Sequence, residues 1–62
     1  MTETERKLTD ALVAIEIHLK DAGDKLEEAN NRSGEAKAWL CRSALGDIRF
    51  SQSIVATLRE DV

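Results

Sequence analysis

No proline interrupts this chain, and its one cluster of turn-forming residues, Asn30-Asn31-Arg32-Ser33-Gly34, falls near the middle. Asn and Gly tolerate the backbone angles of tight turns, and Asn and Ser offer side-chain hydrogen bonds that compete with helix. On either side of this break the apolar residues recur with helical spacing, so the sequence predicts two helices joined by a short turn. A connection this short forces the helices to lie side by side and antiparallel. The predicted fold is all-α, a two-helix hairpin in a single domain, with helix 1 over about 3–29, the turn at 30–33 and helix 2 over about 34–59.

Local signals agree with those bounds. Thr2 and Glu5 have the T-x-x-E spacing of a capping box, in which side chain and backbone satisfy orphan N–H groups at a helix start. Glu3/Lys7, Glu16/Lys20 and Asp21/Lys25 are i,i+4 pairs with the acid on the N-terminal side, the favourable order on a helix. Ser33 is the expected N-cap of helix 2, with Glu35 in its first turn, where the helix dipole favours negative charge. At 1.5 Å per residue each rod is roughly 40 Å long.

Leu8, Leu12, Ile15, Leu19, Ala22, Leu26 and Ala29 step by four and three along helix 1, a complete a/d seam. Helix 2 carries Cys41, Ala44, Ile48, Ser51, Val55, Leu58 and Val62 at the same alternation, with Leu45 beside them. Folding about Asn31 and Arg32 sets the seams face to face, with Leu19 near Ala44 and Ile15 near Ile48. Two helices cover only one side of each stripe, so the expected remedy is self-association into a two-fold homodimer, a four-helix bundle. The first thirty residues carry four basic and eight acidic groups, whereas residues 31–58 carry four basic and two acidic. An acidic helix beside a more basic one favours the antiparallel pairing.

A second stripe runs along helix 2. At about 100° per residue, Trp39, Ser43, Gly46, Phe50 and Ile54 share a face roughly opposite the Cys41/Ile48/Val55 seam. Both aromatic residues of the chain lie there. Gly46, costly inside a helix, makes with Ser43 a shallow notch between them where another backbone can approach. Arg42 and Arg49 flank the stripe, and Val13 and Ile17 sit on the back of the seam in helix 1. This surface is read as either the dimer interface or a binding face for a second protein, since Trp is enriched among interface hot spots.

The remaining chemistry is sparse. A net charge of -3 and a pI near 5.0 disfavour nucleic acid as a partner. No apolar run is long enough to span a membrane. The lone Cys41, together with an N-terminus lacking a basic start and apolar run, predicts a cytoplasmic protein. His18 has Asp21 as its only acidic neighbour at helical spacing, so no metal site is expected. Cys41 reads as a small seam residue rather than a nucleophile, and no carboxylate pair has a catalytic setting. Asn31-Arg32-Ser33 matches a glycosylation acceptor by accident, given the absence of a secretory signal. No catalytic residue, cofactor or metal is predicted, and the chain is not read as an enzyme.

In size, single tight turn and paired seams, the chain resembles the Rop family of plasmid copy-number regulators, whose hairpins dimerise into a four-helix bundle that binds paired RNA loops. The likeness spans the whole chain as architecture, with no matching residue motif. Small acidic hairpins are also similar in size to phage and mobile-element accessory proteins that inhibit a host protein. The leading expectation is a non-enzymatic dimeric module that binds a protein partner as an inhibitor, adaptor or regulator. One alternative is RNA or nucleotide binding, with Arg32, Lys37, Arg42 and Arg49 presented in duplicate. The other is a purely structural assembly role.

Overall fold

In the computed structural model, which describes residues 2–61, helix α1 spans Glu3–Asn30 and α2 spans Gly34–Asp61. The described residues contain two helices and no strand. Each helix runs slightly beyond its expected C-terminal end, a difference of the kind that fraying last turns produce. The hairpin measures 47 × 19 × 9 Å, so it is a slab one helix thick with two broad faces.

At the N-terminus the Thr2 hydroxyl accepts a hydrogen bond from the Glu5 backbone N–H at 3.1 Å and lies 3.2 Å from the Glu5 carboxylate. That is the forward half of the capping box, with the carboxylate bonded to the hydroxyl instead of the Thr2 backbone. The other end of α1 tightens by bonds from Asn31 N–H to the Glu28 carbonyl (3.0 Å) and from Arg32 N–H to the Ala29 carbonyl (3.1 Å). The Asn31 side chain donates to the Glu27 carbonyl, and Arg32 reaches back to the Glu28 carboxylate at 3.1 Å. Entry into α2 differs from expectation. Gly34 takes φ +66°, a left-handed conformation that glycine adopts without Cβ strain, so the glycine makes the corner instead of a Ser33 cap.

The residues that meet between the helices differ from the expected seams. Ala22, Ala29, Leu40, Ala44 and Ser51 are buried, and Ala11, Ala14, Ile15, His18, Lys25, Ser43, Asp47, Ile48, Ile54 and Leu58 are half-buried. On α1 the contact column is therefore Ala11, Ile15, His18, Ala22, Lys25, Ala29. On α2 it is Leu40, Ala44, Asp47, Ser51, Ile54, Leu58. One half of each expected seam is kept (Ile15, Ala22, Ala29; Ala44, Ser51, Leu58). Elsewhere Ala11, His18, Lys25, Leu40 and Ile54 take the places expected for Leu12, Leu19, Leu26, Cys41 and Val55, while Ile48 keeps its place and Asp47 joins it, both half-buried. Both helices are thus turned by about half of the 100° residue step from the a/d register.

Packing explains the turn. The apolar stripe on each helix is wider than one neighbouring helix can cover. The helices meet along the edge rich in Ala and Ser, where small side chains permit a short interaxial distance. This choice also points His18, Lys25 and Asp47 toward one another. In consequence Leu8, Leu12, Leu19, Leu26, Leu45 and Val55 stand exposed. Cys41, expected inside the seam, is exposed as well, one position round from the contact column. Ile15, Leu19, Ile48 and Val55 do come together as expected, but as walls of an open groove of about 490 Å³ on one broad face. Val62, the final expected seam position, lies outside the described residues.

Candidate partner-binding face

The second broad face carries the candidate site, and a polar cluster at mid-height positions it. Asp47 Oδ1 is 3.1 Å from His18 Nδ1, and Asp47 Oδ2 accepts from Lys25 Nζ at 2.7 Å. An ionised carboxylate only accepts, so His18 Nδ1 carries the proton in this contact. Ser51 Oγ closes the cluster by donating to the Asp47 carbonyl at 3.0 Å. Asp47 is well covered, with 13% of its side chain accessible. The Lys25 ammonium and the His18 ring hold its carboxyl below the ordinary aspartate value of 3.8, because hydrogen bonds to the charged form favour it.

His18 in turn holds an aromatic. Its ring lies 4.5 Å from that of Phe50, tilted by 45°, within the range of favourable aromatic pairs. Phe50 leans on His18 from the outside and remains 53% exposed. Three turns away on the same face, Trp39 is 62% exposed. It borders a hollow of about 270 Å³ walled also by Glu28, Arg32, Ala36 and Leu40. The two aromatics are eleven residues apart, which on an α-helix returns nearly to the same azimuth.

Other residues of the outer stripe divide. Gly46 is exposed between the aromatics, and a Cβ built there meets no heavy atom within 4 Å. Ser43 and Ile54 are half-buried at the edge of the contact column, so they border the face more than they present it. Arg42 and Arg49 are exposed along the back of α2, and neither belongs to an ion pair among the described residues. Ile17 is exposed toward the Phe50 side of α1, and Val13 lies further round its back.

The His18–Lys25–Asp47 cluster was not foreseen. Local spacing pairs Lys25 with Asp21 within the helix, yet Lys25 crosses to Asp47. Among the described residues the i,i+4 ion pair that forms is Glu28–Arg32, not Glu3/Lys7, Glu16/Lys20 or Asp21/Lys25. One signal was available: Asp47 is the only acid between Glu35 and Glu60, and folding about the turn places it within two residues of the level of His18. Among the described residues, no group of three His, Cys, Asp or Glu side chains stands close enough to share a metal ion. None of the described helices is long and apolar enough to cross a membrane. Comparison with protein families, characterised proteins and solved structures gives no match.

Proposed function

We propose that this chain is a non-enzymatic, cytoplasmic binding module that acts on a second protein through the Trp39/Phe50 face, as an inhibitor, adaptor or regulator. In this reading the chain works as a homodimer, a four-helix bundle, with one aromatic face per subunit. The observation that carries it is the exposure of Trp39 and Phe50, the chain's two aromatic residues, on one face of α2. Phe50 meets α1 at the His18 ring and Trp39 borders a hollow with Glu28 and Arg32, yet more than half of each aromatic stays open. Large exposed aromatics beside arginines have the composition of interface hot spots. The Gly46 notch between them suits the close approach of a partner helix, and the Arg42 side of the face suits a partner with acidic residues at its edge.

The test is capture of a partner from cell lysate by immobilised protein, identification of that partner, and reconstitution with the purified pair. Trp39→Ala and Phe50→Ala each abolish reconstituted binding while helicity and subunit mass stay unchanged. If either variant falls apart as an oligomer, the stripe is the self-association surface and the reading is wrong. Partner binding that collapses steeply with salt and is competed by RNA would instead support the nucleic-acid alternative.

A further inference from the structure

The leucine-rich face of the slab is uncovered, and the charges along its edges are sorted by helix. Glu5 shares a heptad column with Leu12, Leu19 and Leu26, while Glu16 and Glu27 flank that column on its outer side. On the α2 side stand Lys37 and Arg59, the latter lining the groove with Ile15, Leu19, Ile48 and Val55, and Arg49 stands at the outer edge of α2, where this face meets the aromatic one. The His18–Asp47 contact sets the level of one helix against the other. Counting equally along each rod from that pair puts Glu16 level with Arg49, Glu27 within a residue of Lys37, and Glu5 within a residue of Arg59. Lys20 apart, which stands at the outer edge of α1 as Arg49 does on α2, the α1 side of this face is acidic and the α2 side basic, matched in height.

The geometry points to a second copy of this chain as the occupant of the leucine face, docked with both turns at the same end of the bundle. This inference rests on the homodimer reading above and fixes its face and orientation. Two closed two-fold pairings lay one slab on another. With the two-fold axis along the helices, α1 of one subunit lies over α2 of the other without any change of height. Glu5, Glu16 and Glu27 then face the partner's Arg59, Arg49 and Lys37, and by symmetry each pairing occurs twice. With the axis across the helices, α1 lies over α1 head to tail. Glu5 then meets the partner's Glu27, Glu16 meets its own copy, and Lys37 meets the partner's Arg59. Every one of those contacts is between like charges, which disfavours the second pairing.

The apolar requirement fits the same occupant. Among the described residues no large side chain is fully buried in the hairpin alone, and the same Leu, Ile and Val side chains recur on the opposing copy. The groove walled by Ile15, Leu19, Ile48 and Val55 lies over the seam, where an opposing helix pair inserts its leucines as knobs into holes.

A spin label at Ser33→Cys, in a Cys41→Ala background, reads the orientation directly, because Ser33 is exposed at the turn. With both turns at one end, the labelled backbones sit roughly 10 Å apart, the spacing of packed helices, and the spectrum is broadened by strong dipolar coupling. With turns at opposite ends, the separation approaches the 47 Å length of the hairpin, and that long distance overturns the orientation while leaving a dimer intact. A monomeric mass at all concentrations overturns the occupant and the homodimer reading together. As a second readout, Glu16→Lys weakens the dimer about fivefold, because two exposed pairs are lost. Adding Arg49→Glu to that chain restores it. Failure of the double variant to recover contradicts the same-end arrangement, in which these two residues are partners.

Discussion

Replacing Gly46 by Ala separates the stability of α2 from the recognition proposed at the same position. Gly46 lies in the interior of α2, and a Cβ placed there meets no heavy atom within 4 Å. The substitution therefore costs nothing in packing and gains the difference in helix propensity, about 0.8–1 kcal/mol. For a domain of this size such a gain raises Tm by roughly 4–8 °C. Gly34→Ala is the control of opposite sign. Its added Cβ also meets no neighbour within 4 Å, but the residue sits at φ +66°, where an L side chain costs on the order of 1–2 kcal/mol. Thermal melts by circular dichroism at one fixed protein concentration compare the three proteins, since the proposed association would make Tm depend on concentration. The same methyl group fills the notch between Trp39 and Phe50, so Gly46→Ala is more stable and yet weaker in partner binding. A lower Tm for Gly46→Ala, or a higher one for Gly34→Ala, refutes the reasoning about the backbone. A more stable variant that binds its partner as tightly as before removes the notch from the account of recognition.

Other perturbations test the remaining parts of the fold. Ala44 is 1% exposed against α1, so Ala44→Leu forces the helices apart and destabilises by about 1–3 kcal/mol in denaturant titration; an unchanged midpoint would show that the helices do not meet there. Asp47 has a lowered pKa in the folded protein, from its hydrogen bonds to Lys25 and His18. Its contribution is therefore complete above the ordinary value of 3.8 and is lost as pH falls through the lower folded value. Acid titration of stability should show a shallower fall for Asp47→Asn than for the wild type below about pH 4, and parallel curves would remove the cluster's role. Thr2→Ala removes the acceptor of the Glu5 N–H bond and costs about 0.5–2 kcal/mol, read as the same Tm assay.

Much of this architecture is legible in the sequence because it rests on local rules. The proline-free segments, the Asn30–Gly34 turn and the Thr2/Glu5 cap each leave a short-range signature, and the hairpin follows from them. The azimuth of each helix does not. A stripe containing Leu12, Ile15, Leu19, Ala22 and Leu26 satisfies an a/d pattern, and nothing local says whether its leucine edge or its alanine edge will meet the other helix. That depends on a long-range pairing, Asp47 with His18 and Lys25, and on the closer approach that Ala22, Ala29, Ala44 and Ser51 allow. Cys41 was misplaced for the same reason, lying on the column that turns outward. The aromatic stripe was visible because it holds the chain's two aromatics at helical spacing. The seating of Phe50 against His18 was not, since it follows from the same rotation.

Under the proposed arrangement the two broad faces have different work: the leucine face holds a second copy, and the aromatic face stays free for a partner. Absolute mass by light scattering across a range of concentrations tests it, with wild type, Leu19→Glu and Trp39→Ala compared side by side. The expected result is a dimer for wild type and for Trp39→Ala, and a monomer or unfolded chain for Leu19→Glu. A Leu19→Glu dimer with a monomeric Trp39→Ala would contradict it, by exchanging the roles of the two faces.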